Sequence, residues 1–76
     1  DLDTAVALLE AGHALHQRLE LHQLVVTTGV DLGRVLLRPD GPGDREAAQR
    51  VLGETVQTAD RLGMAPALAD ARALLA

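Results

Sequence analysis

Seventy-six residues are read as one small domain, 1–76, or as part of a larger one, and a core of this size is marginal without neighbours. Seven basic against eleven acidic residues leave a net charge of −4, and there is no Phe, Tyr or Trp. Direct nucleic-acid binding is therefore not expected, since phosphate grip needs positive charge and single-stranded bases need aromatic platforms. The absence of Cys excludes disulfides, thiolate nucleophiles and Cys-based metal sites.

The chain begins on an acidic residue with no apolar stretch behind it, so no signal peptide is expected. Asp1 or Asp3 can cap a first helix, predicted over 3–18. Leu2, Ala5, Val6, Leu8, Leu9, Leu15 and Leu19 mostly recur at three- and four-residue spacing and are read as its apolar stripe. Gly12 interrupts that stripe, and a glycine inside a helix implies close backbone packing.

Residues 20–37 read in two ways. As a helix, Leu21, Leu24, Val25, Thr28, Leu32, Val35 and Leu36 share a side; as strands, LVVTTGV and GRVLLR are two β-branched runs. Strand alternation is poor and helical spacing is sustained, so a second helix over 20–37 is expected. The segment 38–43 is a loop marked by Pro39, Gly41, Pro42 and Gly43. Asp44 caps a third helix over 44–62, with Ala48, Leu52, Val56, Ala59 and Leu62 as its buried stripe. Gly63 fits the position just past its end, and Pro66 opens a fourth helix over 66–75, whose apolar side is Leu68, Ala71, Leu74 and Leu75.

Shifted by 43 positions, Asp1 falls on Asp44, Ala5 on Ala48, Leu9 on Leu52, Arg18 on Arg61 and Leu19 on Leu62. The order of caps, stripes and breakers repeats with it. The expected fold is all-α: four antiparallel helices forming two stacked helical hairpins. No apolar run approaches the roughly 20 residues that span a bilayer, so no membrane segment is expected and the cytoplasm is the expected compartment. Arg supplies all the basic residues and Ile, Asn and Ser are missing, a skew that reads as bacterial, GC-rich codon usage.

Leu32-Gly33, followed by Ala48, Leu52 and Thr55 and then by RLGMAP, resembles a tetratricopeptide-type repeat. More closely, residues 41–75 are similar to the C-terminal repeats of large bacterial ATP-binding transcriptional regulators of the LuxR type. The resemblance covers about Asp31 to Ala76; the earlier half matches in pattern only, and the spacing exceeds the family's usual 34. It implies a TPR-like solenoid fragment that binds a protein, a peptide or another domain of its own chain, with room for a homodimer. It also implies that the second and fourth helices line a concave surface. Thr27, Val30, Arg34, Leu37 and Arg38 would face it from one, Asp70 and Ala73 from the other. Arg34 and Arg38, one turn apart, could hold a carboxylate between them.

His13, His16 and Glu20 stand at i, i+3 and i+7 and could hold zinc if the helix continued that far, but the spacing matches no known motif. Half-exposed histidines at a hairpin turn are the plainer reading, with pH-dependent packing there as a further one. The charges at Asp60, Arg61, Asp70 and Arg72 are not organised into acid–base pairs, and DGPGD is a turn, not a phosphate loop. No catalytic residue, metal ligand or cofactor is expected, and the chain is read as a non-enzymatic interaction module. The alternative is a structural four-helix dimerisation or docking domain attached to a larger enzyme.

Overall fold

The computed structural model describes residues 1–39 and 44–76, so the loop expected at 38–43 lies largely outside the described residues. Four helices follow one another: α1 (Leu2–Arg18), α2 (His22–Leu36), α3 (Arg45–Leu62) and α4 (Ala65–Leu75). The strand reading of residues 20–37 is replaced by α2. The helices pair as two stacked hairpins, α1–α2 and α3–α4. α2 packs against the three others and α3 against α2 and α4, whereas α1 packs against α2 alone.

The two hairpins repeat one another in local detail. Asp1 and Asp44 each cap a first helix by accepting a backbone N–H three residues on, Thr4 N at 2.7 Å and Ala47 N at 3.0 Å. Each first helix then ends in the same pair of hydrogen bonds across a left-handed residue. Glu20 (φ 55) donates its N–H to Gln17 O at 3.1 Å, and Leu21 donates to His16 O at 2.9 Å. Gly63 (φ 70) donates to Asp60 O at 3.2 Å, and Met64 to Ala59 O at 2.9 Å. This pairing satisfies carbonyls that a helix end leaves open. Leu21 and Met64 then start the second helices with near-identical backbone, φ/ψ −86/75 and −88/73. Because Leu19 and Glu20 form this turn, the second helix begins at His22 and not at residue 20.

Leu, Val and Ala make up the core, as the lack of aromatics requires. Val26, Ala48, Leu52, Ala59 and Ala71 are wholly buried, and Thr55 is 2% exposed with its hydroxyl donating to Val51 O at 2.8 Å. Small residues set the depth of the joint between hairpins. A Cβ added to Gly33 would overlap Leu52 Cδ2 and stand 2.5 Å from its Cγ, and one at Gly29 would overlap the Thr55 hydroxyl oxygen. α2 therefore lies against α3 at a separation that only glycine permits.

Several apolar stripes turn out rotated from their expected faces. On α1, Leu8 and Leu15 face solvent, as does Leu19 just past its end, Leu8 at 69% exposure, while Val6 and His13 point inward. On α2, Leu21 and Leu24 are exposed, and Val26, Gly29, Val30, Leu32, Gly33 and Leu36 are buried. Leu62 on α3 is exposed, and Val51 and Thr55 take part in the core instead. On α4, Leu68 and Leu74 are half-buried and Leu75 is exposed.

Candidate functional site

α1 and α3 both rest on α2 without packing on one another, and this opens a cleft between them. Two adjoining hollows of about 240 and 320 Å³ share Glu10, Leu32, Arg50 and Val51 as lining. Leu32 and Leu36 of α2 form the floor. Asp3, Val6, Glu10 and Gln17 line the α1 side, and Asp44, Arg50, Val51 and Glu54 line the α3 side. Helical spacing of three, four and seven residues brings each set onto one face. The rim thus carries four carboxylates, Asp3, Glu10, Asp44 and Glu54, against the one guanidinium of Arg50. Above a floor of leucine and valine, this arrangement suits a ligand with positive charge and some aliphatic surface.

His13 closes the α1 wall near the hairpin turn. It is 7% exposed, which corrects its reading as a half-exposed histidine. Its Nδ1 lies 2.8 Å from Thr28 Oγ1, and that hydroxyl donates to Leu24 O at 2.8 Å. Since the hydroxyl proton is committed to Leu24, the His13 Nδ1 is the one that carries hydrogen and donates. His16 Nδ1 approaches the same oxygen at 3.4 Å. Burial pushes the His13 pKa below the ordinary 6.5; Glu54 across the cleft opposes this by charge, and His16 adds to it.

The sign follows from proton binding. The unfolded chain protonates His13 at a higher pH than the folded chain does, so this contribution to stability is complete above 6.5 and declines as pH falls through it. Urea midpoints at about pH 7.5 and about pH 5.5 should therefore fall more in the wild-type chain than in His13→Gln. His16 and the carboxylates are common to both chains. Equal falls would show that His13 does not carry this dependence.

Glu20 stands beyond the end of α1 in the left-handed turn, so the helical face expected to unite it with His13 and His16 is broken. Among the described residues, no group of three or more His, Cys, Asp or Glu is placed to hold a metal ion.

The residues expected to face a partner are spread differently from the expectation. Val30 is 6% exposed and belongs to the core, because hairpin two covers that face of α2. Leu37 is half-buried and lines a small hollow of about 80 Å³ with Leu74 and Leu75. Thr27 and Arg34 are exposed on α2, and Asp70 and Ala73 are exposed on α4. Arg34 pairs with Asp31 at 3.5 Å, both about half-exposed, an ion pair of little energetic weight. α2 ends at Leu36, so Arg38 falls in the turn beyond it and the one-turn alignment with Arg34 is not made by a helix. The open cleft lies between the first helices of the two hairpins, not on the α2/α4 side. The physical reason is that α2 and α4 pack together while α1 and α3 do not.

Asp3 and Glu10, seven residues apart beside Val6, and Arg50 and Glu54, four apart beside Val51, are the functional candidates that the stripe-based reading passed over. Their signal was a charged row bordering a single buried valine on each helix. No helix among the described residues is long and apolar enough to cross a membrane. No protein-family model, curated protein or solved structure matches the chain.

Proposed function

We propose that this chain is a non-enzymatic protein-interaction module that receives a basic, partly aliphatic segment in the cleft between α1 and α3. The segment belongs to a partner protein or to another domain of the same polypeptide. The observation that carries this reading is the cleft itself: an apolar floor of Leu32 and Leu36 under a rim of four carboxylates and one guanidinium. The resemblance to tetratricopeptide-type repeats of bacterial transcriptional regulators supplies the setting, a cytoplasmic regulator in which helical hairpins hold other domains. The second reading, a structural docking domain on a larger enzyme, draws on the leucines that α1 leaves exposed.

Panning a random peptide library against the folded chain tests the first reading. Recovered peptides should be enriched in Arg or Lys spaced among aliphatic residues. Binding should weaken at least about tenfold, or about 1.4 kcal/mol, in Glu10→Lys/Glu54→Lys and should fall with added salt. Arg34→Ala should bind as the unaltered chain does. Peptides without basic bias, or binding indifferent to the charge reversal, would overturn the assignment.

A further inference from the structure

The joint between the two hairpins has counterparts at both ends of the stack. On the α2 side, Val26, Gly29, Val30 and Gly33 are buried, with Thr55 and Leu52 of hairpin two against the two glycines. The 43-residue offset carries these four onto Ala69, Arg72, Ala73 and Ala76, and all four are exposed. On the α3 side, Val51, Leu52 and Thr55 are among the buried residues, at 9%, 0% and 2% exposure. Their counterparts on α1 are Leu8, 69% exposed, and the half-buried Leu9 and Gly12. Leu15 and Leu19, at 42% and 59%, continue the same side of α1. Each end of the molecule therefore presents one uncovered half of a joint that the chain has already made once.

The two halves fit each other in size. Leu52 against Gly33 becomes Leu9 against Ala76, a large residue on a small one in both cases. Thr55 against Gly29 becomes Gly12 against Arg72, with the large residue moved to the other partner. A Cβ added to Gly12 would meet nothing within 4 Å, so nothing in the chain's own packing calls for glycine there. A glycine inside a helix weakens it, and room for an incoming Arg72 stem gives it a use.

We propose that the chain associates with copies of itself head to tail, the α1 face of one copy docking on the α4 face of the next. A second copy is the occupant because the same chain carries both the leucine ridge and the alanine face that receives it. The contact is heterologous, so it adds copies in series instead of closing a symmetric pair. This inference stands apart from the cleft, whose residues lie on neither face.

Sedimentation velocity on the 8.0 kDa chain tests it. The mass should rise with concentration past that of a dimer. Leu8→Glu/Leu15→Glu blocks one face and Ala69→Glu/Ala73→Glu the other, and all four positions are exposed. Each variant alone should sediment as a monomer, and an equimolar mixture should form 1:1 dimers, since each keeps the face the other lacks. Gly12→Leu should weaken association at least tenfold with helicity by circular dichroism unchanged, and it decides the matter should either face variant unfold. A chain that stays monomeric to about 1 mM overturns the proposal. So does a mass that stops at a dimer, a mixture of face variants that stays monomeric, or association unaffected by Gly12→Leu. Any of the last three points to a symmetric dimer or to other occupants of these faces, and none bears on peptide binding in the cleft.

Discussion

Leu52→Ala is expected to lower stability by about 2–5 kcal/mol, the range for a fully buried leucine whose surroundings relax only in part. Leu52 is wholly buried and is the largest such side chain among the described residues. It reaches the backbone of α2 at Gly33, and it borders the hollow formed with Leu37 and Leu74. The core cluster it belongs to is Val, Ala and Leu drawn from all four helices, side chains too short to refill the space without moving a helix. Domains of this length have about 4–11 kcal/mol in hand, so the loss is a large part of the whole. At about 4–8 °C per kcal/mol, the midpoint of thermal unfolding by circular dichroism should drop by at least about 8 °C. A drop of only a degree or two would mean that the hairpins are not joined through this residue.

Gly33→Ala tests the same joint from the other side, and its sign depends on Leu52. In an exposed helix, replacing Gly by Ala gains about 0.5–1 kcal/mol. Here the new methyl would overlap Leu52 Cδ2, with Cγ at 2.5 Å and Cδ1 at 2.9 Å, so either the leucine leaves its place or α2 lifts away from α3. Overpacking of this kind costs about 1–3 kcal/mol, which outweighs the helical gain. In the Leu52→Ala background the obstruction is gone, and Gly33→Ala should become stabilising by roughly 0.5–1 kcal/mol. The coupling energy from urea unfolding of the four chains should exceed about 1 kcal/mol. Additivity within about 0.3 kcal/mol would remove the steric account of the Gly33 notch.

What the sequence disclosed about this fold was mostly local. Asp44 as a cap, Gly63 past the end of α3 and Pro66 in the first turn of α4 each act through their own backbone, and each stands where it was expected. The matching turn after α1 was hidden because Glu20 occupies the left-handed position that Gly63 fills in the second hairpin. The rotation of α1 was hidden for another reason. Its leucines outnumber the residues that its single neighbour can cover, so hydrophobicity alone did not say which would face α2. His13 takes an inward place beside Thr28, fifteen residues away, and half-buried His16 approaches the same oxygen from twelve residues away. The cleft depends on two helices that rest on α2 without packing on one another, and a periodicity within one helix carries no information about such a pair. Val30 was assigned to the surface for the same reason, since what covers it comes from the other hairpin.

The single neighbour of α1 also bears on how the molecule breathes. A helix that leans on one partner can come loose at a free energy below that of unfolding the rest, since only one set of contacts has to break. Amide hydrogens of α1 should then exchange with solvent deuterium sooner than those of α3, which is held on both sides. The last protection to be lost should sit where Gly33 meets Leu52.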